Sequence, residues 1–130
     1  MTLQRTARRR FSKPALAALD ATKIIGVRAG AEHRFTGVWV VVVDGRVFAR
    51  SWSDKPTGWY RAFLDEPLGA IQVPGGREMR VRARRVRGDR LLDAIDEAYA
   101  EKYHTPASLK WVRGFRTEQR RATTLEFTPR

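Results

Sequence analysis

The stretch GVWVVVVDGRVFARS, residues 37 to 51, limits what this chain can fold into more than any other. Asp44-Gly45 sits between two apolar runs, and a type I′ turn needs two central residues that tolerate positive φ, as Asp and Gly do. A turn of that kind sets the register around it, placing Val43 opposite Arg46 and, further back, Trp39 opposite Arg50. Side chains alternate along a strand, so Val47, Ala49 and Ser51 share one face of the second strand and Arg46, Phe48 and Arg50 the other. From Val38 to Val43 the first strand is apolar on both faces. That is the pattern of a strand covered on both sides, as in a barrel or sandwich.

The flanking segments extend this pattern. Ser12 with Pro14 behind it caps a helix over residues 13 to 20, and KIIGVRA reads as a strand before the Gly30 turn. After RVFARS comes a polar loop, SWSDKP, and then a short helix, GWYRAFLDE, with Thr57 as its cap and Pro67 as its stop. GAIQV and REMRVRARRVR form a hairpin across Pro-Gly-Gly, with Met79, Val81 and Ala83 alternating with Arg80, Arg82 and Arg84. GDRLLDAIDEAYAEKYH is an amphipathic helix with Asp89 as its cap and Asp93, Asp96, Glu97 and Glu101 on its wet face. TPASLKWVRGFRTEQR reads as a loop, and ATTLEFTP closes the chain as a strand. The fold class expected is α+β: a six-stranded antiparallel β-barrel with about three flanking helices, since a sheet of many short strands avoids free edges by closing.

Composition bounds the chemistry. The 130 residues suit one domain, expected over residues 11–130, behind a basic flexible tail at residues 1–10 that carries Arg5, Arg8, Arg9 and Arg10. With no cysteine there is no thiolate nucleophile and no zinc-thiolate site, and His33 and His104 lack carboxylates at metal spacing. No apolar run is long enough to span a bilayer, so the expected location is cytoplasmic, without membrane partners. A formal charge of +12 attracts anions, whether nucleic acid, phosphorylated cofactors or acidic lipid.

The loop after RVFARS gathers an anion-binding set. Arg50 and Lys55 supply cations, Ser51 and Thr57 supply hydroxyls, and Gly58 and Trp59 offer amides at a helix start. The alternative is structural: Thr57 only a cap, Arg50 paired with a carboxylate, Lys55 solvated. Trp39, Trp52, Trp59 and Tyr60 crowd the same region and could stack on a planar ring, although core packing also accounts for aromatics of this kind. Trp52 stands apart because it lies in a polar loop where no core face is expected. Arg80, Arg82, Arg84, Arg85 and Arg87 form a second basic feature, readable as a phosphate-tracking stripe or as an edge strand blunted by charge. No residue is singled out as catalytic.

WVVVVDGRVFARS, WYRAF, GAIQVPGG, LLDAIDEAYAEKY and RATTLEFTPR, in this order and spacing, resemble the bacterial domain of unknown function 2255 family across residues 14 to 130. That family is similar to the FMN-binding split-barrel superfamily, which includes pyridoxamine-phosphate-oxidase-like enzymes and deazaflavin-dependent nitroreductases. The resemblance implies a six-stranded split barrel, often a homodimer, with FMN or a deazaflavin lying across it. Cofactor contacts carried over by position fall on Arg50, Ser51, Lys55, Thr57 and the start of the GWYRAF helix, and Trp52 joins them from the loop. The function implied is binding of a phosphorylated planar redox cofactor, with reduction of small molecules as the activity class. The competing class is a non-enzymatic module that binds nucleic acid through the Arg-rich tail and strand.

Overall fold

The computed structural model describes residues 9–130, so most of the basic tail lies outside the described residues. In chain order the elements are α1 (Lys13–Ala21), β1 (Ile24–Ala29), β2 (Thr36–Val43), β3 (Arg46–Arg50), α2 (Trp59–Asp65), β4 (Leu68–Gln72), β5 (Glu78–Arg85), α3 (Asp89–Lys102), α4 (Pro106–Gly114), α5 (Glu118–Arg121) and β6 (Thr124–Pro129). All strand pairs are antiparallel and close a barrel in the order β1-β2-β3-β6-β5-β4. The six-stranded barrel is as expected. Among the described residues five helices stand where about three were expected, because residues 106 to 121, read as loop, contain α4 and α5.

The Asp44-Gly45 turn sets the register as its chemistry demands. Both residues have positive φ, 52° and 74°, and Val43 pairs with Arg46 and Val40 with Ala49. Val38, Val40, Val47 and Ala49 point into the barrel, where they meet Ile25, Val27, Ile71, Val81, Leu125 and Phe127. Leu19 of α1 and Phe63 of α2 belong to the same core. On the outer face, Val41 and Phe48 lie beneath a second apolar layer built from Ile95, Tyr99, Tyr103, Val112 and Phe115. Two covered faces explain why β2 carries apolar residues at successive positions.

Capping follows the expected chemistry at α1, where the Ser12 hydroxyl accepts from the Ala15 N–H at 3.2 Å. It departs at two other helices. Gly58, not Thr57, occupies the N-cap of α2, and Gly88 with φ 100° occupies that of α3, which moves Asp89 into the first turn. Both caps are glycines without a side chain to offer, so packing of the helix faces sets these starts, not a capping hydroxyl.

Candidate functional site: a fork in the barrel

β2 changes partner half-way along. Residues 36 to 39 pair with β1, and residues 40 to 43 pair with β3. The β2–β3 ladder ends at Val40 and Ala49, so Trp39 and Arg50, expected opposite each other, are parted, and a hydroxyl from α3 fills the opening. The buried Tyr99 hydroxyl accepts from the Arg50 N–H at 3.0 Å and donates to the Trp39 carbonyl at 3.2 Å. Tyr103 does the same on the other side of β2, accepting from the Val40 N–H at 3.0 Å and donating to the Lys23 carbonyl at 2.5 Å. Its ring stacks on Trp39 with centroids 4.0 Å apart. Burial pushes the Tyr103 hydroxyl up to about 12, opposed by the smaller effect of the Val40 hydrogen bond and aided by Asp20, and burial is also the main cause that raises Tyr99.

A pocket of about 340 Å³ opens where the strands part, lined by Ile24, Gly37, Val38, Trp39, Arg50, Trp52, Trp59, Trp111 and Phe115. Its walls are mostly aromatic. Trp52 packs edge-on against Trp111 at 4.9 Å and is covered by the Arg120 guanidinium, 3.5 Å from its ring centroid. Gly114 makes that position available: a Cβ there would lie 2.3 Å from the Trp52 ring.

The polar element of this pocket is Arg50, only 2% exposed. Its Nε donates to Thr124 Oγ1 at 2.7 Å, and Nη1 donates to Asp96 Oδ1 at 2.6 Å and to the Phe115 carbonyl at 2.9 Å. Asp96 also accepts from Arg121, which reaches on to Asp93 at 2.9 Å. Asp96 was expected on the wet face of its helix. It is instead buried between two arginines, because the residues after α4 fold back over that face. One nitrogen of the cluster, Arg50 Nη2, is buried with no hydrogen-bond partner among the described residues. A buried donor left unsatisfied in this way calls for an explanation.

Of the loop residues singled out from the sequence, Arg50, Trp52 and Trp59 come together at the pocket. Ser51 lies just behind: its N–H donates to Thr123 Oγ1 at 2.9 Å, and its hydroxyl ties down Ser53. Lys55 and Thr57 are exposed on the loop. The Gly58 N–H is taken by the Lys55 carbonyl at 3.0 Å, so it is not the free amide expected at the helix start. Trp111 and Phe115 were missed because they sit in the segment read as loop. Among the described residues no group of three or more His, Asp or Glu side chains is placed to hold a metal, and no helix is long and apolar enough to cross a membrane.

The family model described as "Uncharacterized protein conserved in bacteria (DUF2255)" matches residues 15–127. The chain belongs to this family. No curated protein matches the sequence. Among solved structures, it is similar to a conserved hypothetical protein of Mycobacterium tuberculosis, with TM-score 0.60 at 13% identity over 94% of this chain and 81% of the other. It is also similar to a FAD-binding protein of Mesorhizobium loti, with TM-score 0.53 at 14% identity over 92% and 88% of the two chains. At these identities the family member shares a fold with both.

Proposed function

We propose that the pocket at the fork holds the ring system of a flavin or deazaflavin, in a phosphorylated form such as FMN, and that the protein is a reductase of small molecules. The observation that carries this reading is the aromatic wall of that pocket, built from Trp39, Trp52, Trp59, Trp111 and Phe115. A flat heteroaromatic ring offers such a wall the faces that tryptophans stack against. The volume, about 340 Å³, is at the low end for ligand pockets, roughly 300–1,000 Å³, and suits a ring system better than a whole dinucleotide. The fold shared with a FAD-binding protein adds support.

The Arg50 side chain is fully covered, so it grips neither phosphate nor ring and instead braces the pocket wall from behind through Thr124, Asp96 and the Phe115 carbonyl. Phosphate falls instead to the exposed side of the same loop, at Lys55 and Thr57, with Ser51 and Gly58 holding the loop's shape. When bound, the cofactor supplies hydride transfer, and the chain's residues orient it and exclude water. Ile24, Trp52 and Trp111 remain exposed at the pocket, and a second copy of the chain covering them fits a homodimer. Light scattering would then give about twice the 14.9 kDa chain mass.

Titration with FMN and with riboflavin, followed by tryptophan fluorescence, tests the reading. Quenching by both is expected, with Gly114→Ala weakening binding about tenfold, because the new methyl drives Trp52 off the wall. Absence of quenching by either flavin in the wild-type protein would overturn it.

A further inference from the structure

Away from the pocket, β5 carries Arg80, Arg82 and Arg84 on its outer face, all exposed, while Val81 and Ala83 between them are buried. None of the three has a carboxylate partner among the described residues. A charged strand is commonly an edge that repels unwanted pairing. That explanation fails here: β5 is hydrogen-bonded along both sides, to β4 and to β6, in a closed barrel. Like charges about 6.6 Å apart along one face repel one another.

The basic surface continues across β6. Arg82 lies opposite Thr128 and Arg84 opposite Glu126, and those two residues also line a groove of about 310 Å³ with Arg9, Arg10 and Arg46. Arg46 is held by Glu126 through two bonds of 2.8 and 3.0 Å, and Arg10 donates to the Asp44 carbonyl at 3.0 Å. Ordered arginines along the groove and free arginines along the column therefore flank one strand.

We propose that this face binds the phosphodiester backbone of a single nucleic-acid strand without reading its bases. Evenly spaced guanidiniums suit a ligand that repeats its charge along a line, and each fork can engage a phosphate through two N–H groups. A small anion would be satisfied by one of them. Among the described residues the exposed large apolar ones, Ile24, Trp52, Leu109 and Trp111, all lie off β5 and β6, so none of them offers bases a ring to stack on along this face. For the same reason the column lacks the apolar anchor that accompanies charge in membrane-surface binding. This inference stands apart from the cofactor pocket, since it shares no residue with it.

The test is fluorescence anisotropy of a labelled oligothymidylate across a salt series. Each phosphate neutralised on a single strand contributes a slope of about −0.7 in log K against log salt, so three contacts give about −2. Replacing the column (Arg80→Gln, Arg82→Gln, Arg84→Gln) should flatten that slope and weaken binding at least about tenfold at 0.1 M salt. A control removing equal charge from exposed sites elsewhere (Arg34→Gln, Arg90→Gln, Arg113→Gln) should stay within about twofold. Equal losses in both variants would reduce the effect to net charge and overturn the proposal. So would the absence of wild-type binding at low salt, or stronger binding to phosphatidylserine vesicles than to the oligonucleotide.

Discussion

Arg50 and Arg82 are the same residue on outward faces of two strands of one barrel, yet their surroundings are opposite. Arg50 lies beneath α3 and the end of α4, enclosed by Asp96, Thr124, Phe115 and Tyr99, whereas Arg82 stands in solvent between two further arginines. Their burial follows from which part of the barrel the helices cover: α3 packs on β2, and the Phe115 carbonyl and Asp96 reach Arg50 from above. Charge taken out of water must be matched in place, and nearly every polar atom around Arg50 is matched. Charge left in water needs no partner to persist. An arginine count therefore carries little meaning for function until each guanidinium has been placed.

The largest expected effect tests the buried half. Asp96→Ala removes the carboxylate shared by Arg50 and Arg121, leaving a guanidinium in the interior without its counter-charge. Breaking a buried pair from one side costs about 3–5 kcal/mol. Urea unfolding should show a loss of that size, while Asp96→Asn, which keeps an acceptor oxygen, should lose less. A cost below about 1 kcal/mol would mean that water reaches Arg50, and the contrast with Arg82 would collapse.

A second effect separates the halves by pH. Tyr103 titrates at about 12 in the folded chain, raised mainly by burial, against about 10 when unfolded, and Tyr99 is raised as well. A folded value above the unfolded one means that the stabilisation is complete below pH 10. It is lost as pH climbs from 10 through 12, when the unfolded chain sheds protons that the fork retains. For Tyr103 the loss approaches about 3 kcal/mol at full ionisation, two pKa units at about 1.36 kcal/mol each. Urea midpoints measured from pH 9 to 12 should fall, and fall less steeply in Tyr103→Phe. Equal slopes in the two proteins would show that the hydroxyl is solvated and that the fork is not held in the way described.

Local chemistry made much of this fold legible. Asp-Gly gave the hairpin and its register, alternation gave the inner and outer faces of β5, and the i, i+3, i+4 pattern gave α3. What escaped was α4, although Thr105, Pro106 and Gly114 stand at its cap, first turn and end in the order favoured by helices. Its apolar residues, Ala107, Leu109, Trp111 and Val112, are too few and too unevenly spaced to outweigh the polar residues around them. The loop from Arg50 to Trp59 was visible as a set of cations and rings. The partners of Arg50 were not, because Asp96 and Phe115 lie 46 and 65 residues further along the chain, and only the closed barrel brings them together. Helical periodicity placed Asp96 on a wet face for want of any sign that the chain would return over it.

The smallest expected effect is the other arm of the comparison. Replacing Arg80, Arg82 and Arg84 together with Gln should change folding stability by no more than about 0.5 kcal/mol, because exposed side chains without partners contribute little. Two opposing contributions set the sign. Removing three like charges relieves repulsion, which stabilises, while the shorter Gln stems cover less of Leu68, the residue paired with Arg82 on β4. Salt separates the two: the screening length shrinks from about 10 Å at 0.1 M to about 3 Å at 1 M. Any gain from relieved repulsion should vanish between those conditions, and any loss from packing should persist. Thermal melts of wild type and triple variant at both salt concentrations measure this directly. A loss above about 1 kcal/mol that survives 1 M salt would make the column part of the barrel's own packing, and then its exposure would no longer point to a ligand.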